Sequence, residues 1–216
     1  MPGPTDQLRL PLQRDLPSAA TALVVSDSNR EAIAALADWP PQPGERLALC
    51  GPVGSGKSRL GEIWAERVRA VPLFGEEAAL ADPLELEGRA ILLDDADRAD
   101  DETLFHLINL TQSGGGALLM IAREAPAAWA VALPDLRSRL AATRCVAIDA
   151  PDDAVLAAML RAAFAERSIA PGDDVVDYLV RRIERSAEAA RDMAARLDAL
   201  HRPVTRVLAR QVIEGA

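Results

Sequence analysis

Residues 51–58 have the types and spacing of a loop that binds phosphate. They read GPVGSGKS, which fills the pattern G-x-x-x-x-G-K-[ST]. An apolar run at 47–50 leads into the loop and a helical run leads out, and this context distinguishes the motif from an ordinary glycine-rich turn. The glycines let backbone N–H groups point at an anion, and the start of the following helix adds partial positive charge.

The side chains of this loop indicate a nucleotide rather than a simple anion. Lys57 can reach the β- and γ-phosphates, and the hydroxyl of Ser58 can hold Mg²⁺. We therefore expect ADP or ATP, with Mg²⁺, as the ligand. The candidate binding residues in and beside the loop are Pro52, Gly54, Ser55, Gly56, Lys57, Ser58 and Arg59.

Two carboxylates, Asp94 and Asp95, follow the apolar run at 90–93. In a doubly wound sheet the carboxyl ends of the strands line the ligand crevice. Asp94 is then placed to hold Mg²⁺ through water, and Asp95 to orient or deprotonate an attacking water. The alternative is a solvated acidic turn, because Asp97 and two further aspartates follow closely.

Three arginines are candidates for contact with phosphate. Arg137 and Arg139 lie in DLRSRL, just before the last predicted strand. They are either surface charge or the source of an arginine finger, whose guanidinium fork matches phosphate oxygens of a neighbour's nucleotide. Arg191, on a helix near the C-terminus, is either solvent-exposed or able to close onto a phosphate of the chain's own nucleotide.

The elements that position these residues are predicted from apolar runs. Runs without alternation at 47–50, 90–93, 117–122 and 144–148, and a short one at 71–74, are separated by helical patterns. They predict an α/β fold with a parallel sheet covered by helices on both faces. After residue 150 only helical segments follow. We expect a flexible arm at 1–20, an α/β nucleotide-binding domain at 21–150 and a small α-helical lid domain at 151–216.

Charge and composition exclude some classes of function. The net charge is −9 and the pI about 4.8, so we expect protein partners and no direct nucleic-acid binding. No predicted segment is apolar enough to span a membrane. Cys50 and Cys145 lie in predicted strands without ligand spacing, and we expect both to be buried thiols of a cytoplasmic protein.

The order of phosphate loop, paired acids, arginine before the last strand, and helical lid resembles the AAA+ family. More narrowly, residues 23–32, LVVSDSNREA, resemble the segment that opens the ATPase domain of DnaA-type initiators. In that family this segment lies against the adenine, which implies that Val25 and Asn29 contact the base. The chain ends directly after the lid, without the family's basic DNA-binding domain, and this favours a regulator over an initiator.

The proline-rich arm resembles a feature of one subgroup within this family. Gln7, Leu8, Leu10, Pro11 and Leu12 lie in QLRLPL, which resembles the peptide that docks on the bacterial sliding clamp. A short disordered peptide can offer its leucines to an apolar groove while the glutamine makes polar contacts. Together these features resemble the Hda-type regulatory inactivators of DnaA, in their alphaproteobacterial form. That resemblance implies DnaA and the DNA polymerase III sliding clamp as partners.

The resemblance assigns roles to the arginines. Arg139 matches the arginine finger that acts in trans on the ATP of DnaA, and Arg137 matches a neighbouring basic position. Arg191 matches the lid arginine when the alignment runs backward from 197–198, whereas a forward alignment from 181–182 reaches Glu188. AAA+ domains commonly associate through interfaces that contain the nucleotide, so the resemblance also allows this chain to form a homo-oligomer.

One departure concerns the strand at 117–122. Relatives of DnaA carry small polar residues near its end, where this chain has Ile121 and Ala122. Neither side chain can hydrogen-bond a phosphate or a water, so we expect weak or absent intrinsic hydrolysis. Two other functions stay open: a stand-alone AAA+ ATPase, such as a helicase-loader-like switch, and a non-catalytic adaptor that the clamp tethers to DnaA.

Overall fold

The computed structural model describes residues 24–37, 39 and 44–215. The predicted arm, with its five candidate partner-binding residues, lies outside this part of the chain. Within the described ranges no helix has the length and apolarity needed to cross a bilayer.

A five-stranded sheet forms the centre of the molecule. All four neighbouring pairs are parallel, and the strand order is β2-β3-β4-β1-β5. The strands are β1 (Arg46–Cys50), β2 (Val71–Phe74), β3 (Ala90–Asp94), β4 (Ala117–Ala122) and β5 (Arg144–Ala147). β4 and β1 are the central neighbours, and all six residues of β4 are buried. The phosphate loop therefore follows a strand with partners on both sides.

Nine α-helices lie in the described part of the chain. They are α1 (Arg30–Ala37), α2 (Lys57–Val68), α3 (Pro83–Leu86), α4 (Asp101–Gly114), α5 (Pro134–Ala141), α6 (Asp153–Ala165), α7 (Asp173–Val180), α8 (Ala187–Asp198) and α9 (Arg206–Glu214). Short 3₁₀ turns occupy Gly75–Leu80, Ala96–Arg98 and Pro126–Ala128.

Side-chain caps explain where several helices begin. The residues before α4, α6, α8 and α9 each accept a hydrogen bond from a backbone N–H of the first turn: Asp100, Asp152, Ser186 and Thr205. Such caps satisfy donors that the helix leaves unpaired. α4 ends at Gly114, and the next residue, Gly115, has a left-handed φ of 87°.

Two apolar layers cover the sheet. One layer joins α1 and α2 to strand residues such as Leu49 and Ile121. The other joins α3, α4 and α5 to residues such as Ala48 and Met120. Adjacent strand residues point to opposite layers, so the sheet is buried on both faces. The helices α6–α9 pack around a third apolar cluster of their own, which includes Leu160, Phe164 and Leu197.

The predicted fold class is confirmed, and some details differ. α2 ends at Val68 because Arg69 has a left-handed φ of 57°, so the helix stops before β2 begins. The sequence patterns did not predict α5, which carries Arg137 and Arg139.

The expectation that both cysteines are buried is wrong. Cys145 is exposed and Cys50 is partly buried, because β5 is an edge strand with only Val146 fully covered. The two Sγ atoms lie 2.7 Å apart across β1 and β5. Cys145 as a whole residue is exposed to solvent, but partial desolvation of its thiol and its hydrogen bond to Cys50 raise the pKa of that thiol to about 12.

Candidate nucleotide-binding site

The phosphate loop begins where the backbone is tightly constrained. Gly51 has a φ of +151°, and a Cβ there would lie 2.1 Å from the carbonyl oxygen of Ile148. Its N–H donates to the carbonyl of Arg123 at the end of β4, at 3.1 Å. At the other end of the loop, Gly56 is the N-cap of α2, with a φ of 95° and no side chain to cap the helix. The first N–H groups of α2 are therefore left for an anion.

The ammonium of Lys57 lies inside the loop. This residue is 8% exposed, and its Nζ donates to the carbonyls of Gly51 and Pro52 at 2.8 and 2.7 Å. Burial lowers the pKa of Lys57, and the neighbouring Asp94 opposes that shift. The sequence-predicted contact with phosphate therefore needs only a movement of Nζ from carbonyl oxygens to phosphate oxygens, which are stronger acceptors.

The paired acids lie at the same edge of the sheet. Asp94 is the last residue of β3, and its Oδ1 accepts the N–H of Asp95 at 2.9 Å. Asp95 has a left-handed φ of 49° and an exposed side chain. Both carboxylates act on the charge of Lys57. The structure thus brings the two acids and the loop lysine together at the carboxyl ends of β3 and β1.

The end of β4 offers no polar side chain to this crevice. Ile121 and Ala122 are 1% and 4% exposed. Arg123 follows directly, and its charge helps to lower the pKa of Lys57. Reasoning from the sequence missed Arg123, although a charged residue immediately after a fully apolar strand was the available signal.

A largely apolar cavity of about 260 Å³ lies between α2, α6 and the segment before α1. Asn29 is one of its lining residues, and this side chain also orders the segment: its Nδ2 donates to the carbonyl of Val24, and its Oδ1 accepts the N–H of Ser26. Other lining residues are Val24, Ser58, Arg59, Ile63, Ile148, Met159 and Arg191.

The structure does not place Val25 in this cavity. Its side chain is 54% exposed, whereas the preceding Val24 lines the cavity. Alternate residues of an extended segment point to opposite sides, so Val24 rather than Val25 faces the cavity, and the contact of Val25 with the base stays a prediction.

The lid helices contact the phosphate loop directly. The N–H of Ala187, the first residue of α8, donates to the carbonyl of Gly54 at 3.1 Å. A Cβ on Gly54 would lie 2.5 Å from the Cβ of Ser186. On the same helix Arg191 lines the cavity, whereas Glu188 is not among its lining residues. Of the two alignments of the lid, the geometry favours the one that selects Arg191.

A second connection joins the lid to the segment before α1. Asp152, the N-cap of α6, accepts the N–H of Val155 at 3.0 Å. That bond and a further one from the hydroxyl of Ser26 lower the pKa of the Asp152 carboxyl. The N–H of Asp149 donates to the carbonyl of Ser28 at 2.9 Å. The cavity is therefore lined by three parts of the chain, which these bonds hold together.

Arg139 lies away from this cavity. It is on α5, where Nη1 donates to Oδ1 of Asn109 at 2.6 Å and Nη2 pairs with Asp135 at 3.1 Å. Its guanidinium lies 4.9 Å from the centre of the Phe105 ring. Arg46 is the first residue of β1, at the end of the strand opposite the phosphate loop. Burial lowers the pKa of Arg46, and the charge of Arg139 lowers it further. Nη2 of the nearby Arg137 donates to the backbone carbonyl of Val131.

Neither a protein-family model nor a curated protein matches the chain. Solved structures do. Domain III of the replication initiation protein DnaA from Thermotoga maritima superimposes with a TM-score of 0.70, at 17% identity, over 89% of this chain and 94% of that chain. AMPPCP-bound DnaA from Aquifex aeolicus gives 0.63 at 16% identity, over 85% of this chain and 67% of that chain.

A more distant likeness is to the RuvB Holliday junction branch migration motor of Thermotoga maritima. Its TM-score is 0.59 at 16% identity, over 79% of this chain and 61% of that chain. At these identities the likeness establishes the fold alone. The chain therefore shares the α/β fold of DnaA domain III and RuvB, in which a parallel sheet has helices on both faces.

Proposed function

We propose that this chain is a nucleotide-binding regulator of DNA replication that acts on DnaA in the cytoplasm. Two observations support the nucleotide part. Asp94 acts on the charge of Lys57 at the phosphate loop, and the same loop, through Ser55, Gly56 and Ser58, lines a cavity that Arg191 also lines. The replication part is supported by the likeness in fold to DnaA domain III.

In this proposal the loop and the cavity hold ADP or ATP together. Residues 51–58 surround the phosphates, and Lys57 supplies a positive charge to them. The base lies in the apolar part of the cavity, beside Ile63, Ile148 and Met159. Ser58 and, through water, Asp94 hold Mg²⁺, which neutralises charge on the phosphates. Oxygen ligands of this kind suit that ion.

Arg139 is proposed to act on a partner's nucleotide. Its position beside Arg46 separates it from the chain's own phosphate loop by about the length of β1, roughly 13 Å at 3.3 Å per residue. Its bonds to Asn109 and Asp135 hold the guanidinium on the surface of α5, 27% exposed. Placed against the ATP of DnaA, it would stabilise the charge that develops on the transferring phosphoryl group.

The chain's own hydrolysis is proposed to be slow. Ile121 and Ala122 give the end of β4 no group that orients water, so the bound nucleotide would support docking rather than turnover. The arm is proposed to bind the sliding clamp through Gln7 and the leucines of residues 7–12. This part rests on the sequence pattern alone.

Single-turnover hydrolysis of ATP bound to DnaA tests the proposal, with the clamp loaded on DNA and with or without this protein. We expect acceleration that Arg139→Ala removes, while clamp binding and nucleotide binding persist. Arg210→Ala is the matched control, because Arg210 is exposed and pairs with Glu214 on the lid. Acceleration that survives Arg139→Ala would contradict the finger and favour a tethered adaptor.

A stand-alone ATPase is the second candidate, and the position of Asp95 beside the loop lysine favours it. It predicts steady release of phosphate by the protein alone, without DnaA. That release should then be lost in Asp95→Asn. Turnover without any effect on DnaA would replace the first proposal with this one.

A further inference from the structure

The two cysteines of the chain are neighbouring thiols at the edge of the sheet. The Sγ atoms of Cys50 and Cys145 lie 2.7 Å apart, across β1 and β5, and both thiols are free. The chain contains no third cysteine, so any disulfide within one molecule must join these two. Neither thiol lines the nucleotide cavity, and their proximity therefore needs a separate explanation.

The register of β1 and β5 accounts for this proximity. Cys50 pairs with Ala147, and Cys145 pairs with Ala48, so the two cysteines are diagonal neighbours on adjacent strands. Because side chains alternate along a strand, both thiols project from the same face of the sheet. A disulfide needs the two sulfurs about 2.0 Å apart. Closing the bond therefore requires a small further approach, and the diagonal arrangement directs that pull partly along the strands.

The pair is accessible from solvent. Within the described sheet β5 pairs only with β1, and three of its four residues are exposed, Cys145 among them. Cys50 is partly buried. A small oxidant can therefore reach the two sulfurs from the edge of the sheet. Cysteines of cytoplasmic proteins that do form disulfides usually have catalytic or redox-sensing roles.

The backbone next to Cys50 belongs to the phosphate loop. The carbonyl of Cys50 accepts the N–H of Ile148 at 2.8 Å, and Gly51 follows directly. A Cβ on Gly51 would lie 2.1 Å from the carbonyl oxygen of Ile148, so these two backbones have little room to shift past each other. The carbonyl of Gly51 accepts a hydrogen bond from Nζ of Lys57 at 2.8 Å. A pull on the Cys50 sulfur therefore reaches Lys57 through adjacent backbone groups.

We infer that Cys50 and Cys145 are a redox-sensitive pair, which a peroxide oxidises to a disulfide, and that this bond weakens nucleotide binding at the adjacent loop. The effect on the nucleotide rests on the proposed function, whereas formation of the bond does not.

The oxidation consumes two thiols and one peroxide. The Cys50 sulfur, as a thiolate, attacks one peroxide oxygen, and the O–O bond breaks. The sulfur becomes a sulfenic acid, and the other oxygen leaves with the proton that Cys50 lost. The Cys145 sulfur then attacks the Cys50 sulfur, the S–O bond breaks, and the hydroxyl leaves as water with the Cys145 proton. Two electrons thus pass from the sulfurs to the peroxide.

The order of the two sulfurs follows from their protonation. The pKa of the Cys145 thiol is raised to about 12, so this thiol keeps its proton at neutral pH. Since the thiolate is the nucleophile, the first attack is assigned to Cys50, and Cys145 resolves the sulfenic acid.

The test is the ADP affinity of the full chain before and after treatment with hydrogen peroxide, with the mass of the intact chain measured on the same samples. We expect peroxide to remove both free thiols and two hydrogen atoms from the chain. ADP binding should weaken about tenfold, within the range usual for coupled sites. A dithiol reductant should restore both the thiols and the affinity.

Cys145→Ser is the matched control, because it keeps a small polar side chain and cannot form the bond. Its ADP affinity should equal that of the reduced wild type, with or without peroxide. This variant also separates the disulfide from oxidation of Met159, which lines the cavity and whose sulfoxide is reduced by dedicated enzymes.

Thiols that stay free after peroxide, or a disulfide that joins two molecules, would overturn the inference. A bond that forms within the chain and leaves ADP affinity unchanged would also overturn it, as would an equal loss of affinity in Cys145→Ser. A reduced wild type that binds no ADP would overturn the proposed function and with it the effect on affinity, and the mass measurement would still decide whether the bond forms.

Discussion

The ammonium of Lys57 is held by two carbonyls of its own loop, which makes this lysine the clearest single-residue test of the site. Lys57→Ala removes the charge that would face the phosphates, and we expect at least a hundredfold loss of ADP affinity. A titration with ADP measures it. The loop should stay folded, because the glycines and not the lysine set its backbone conformation.

Lys57→Arg is the control for this prediction. It keeps the charge, but its planar guanidinium does not fit between the carbonyls of Gly51 and Pro52 as the ammonium does, so it should also bind ADP poorly. Urea unfolding of both variants checks that the fold is retained. ADP affinity that is unchanged in Lys57→Ala would place the nucleotide elsewhere on the molecule.

The motif residues of the site could be predicted from sequence because their chemistry depends on local spacing. Residues 51–58, together with Asp94, are recognisable wherever an apolar strand precedes them. The position of Arg123 beside the phosphate loop depends on strand register. Whether Val24 or Val25 lines the cavity depends on which side of an extended segment faces the lid. Those relations are set by long-range packing and are absent from any single stretch of sequence.

At the scale of elements, the contact between α2 and the sheet depends on Gly61. A Cβ there would lie 2.4 Å from Cδ1 of Ile121 and 3.0 Å from Cδ1 of Leu92. We expect Gly61→Ala to destabilise the fold by about 1–2 kcal/mol, because overpacking exceeds the roughly 1 kcal/mol that alanine gains in a helix. Urea unfolding measures this difference.

Ile121→Val removes the methyl group nearest to the new side chain and supplies the control. In a double-mutant cycle, Gly61→Ala should cost less in the Ile121→Val background than in the wild type. Strict additivity would show that the close contact of α2 with β4 is not what requires glycine.

The cap of α6 is a second element-scale test, because its carboxylate joins the lid to residues 24–29. Asp152→Ala should cost about 1 kcal/mol at neutral pH through loss of the bond to Val155. The folded-state pKa of Asp152 is lowered, so its stabilisation is present above the unfolded pKa and is lost as pH falls through the folded pKa.

The difference in unfolding free energy between Asp152→Ala and the wild type should accordingly shrink as the pH is lowered below about 4. Asp152→Asn keeps a capping acceptor and should retain most of the stability without the pH dependence. If this difference in unfolding free energy stays constant over the pH range, the charge of the Asp152 carboxylate does not stabilise the fold.

The long, periodic elements were predictable from sequence, and so were the short strands β1 and β2, whereas the short helix α5 was not. β3 and β4 are uniform apolar runs, and α6–α9 follow strong helical patterns, three of them with capping side chains. α5 has only Leu136 and Leu140 buried, so its apolar signal is too short to separate from a loop. Burial of Cys145 was misjudged because a strand's place in the order of the sheet decides its exposure, and sequence does not give that order.

At the scale of the whole molecule, ligand binding should stabilise the chain as one unit. The cavity is lined by residues of the 24–29 segment, the phosphate loop and the lid, so bound ADP would join parts that are far apart in sequence. At a hundred times its dissociation constant, ADP should add about 2.7 kcal/mol, or roughly 5–10 °C in unfolding temperature. Scanning calorimetry measures the shift.

We expect a single unfolding transition whose temperature rises when ADP is added. In Lys57→Ala the unfolding temperature should not change with ADP. Two separate transitions, with only the earlier one responding to ADP, would mean that the lid unfolds independently and that its contacts with the loop contribute little to the fold.

The hydrogen bond from the Ala187 amide to the Gly54 carbonyl joins two regions that a nucleotide would bring together. One of its atoms belongs to the loop and the other to the first turn of α8. Any separation of the two exposes that amide to water, whereas the amides deeper in α8 stay paired within the helix. Deuterium uptake at position 187 therefore reports the opening of the lid at a single backbone atom, without a label and independently of catalysis.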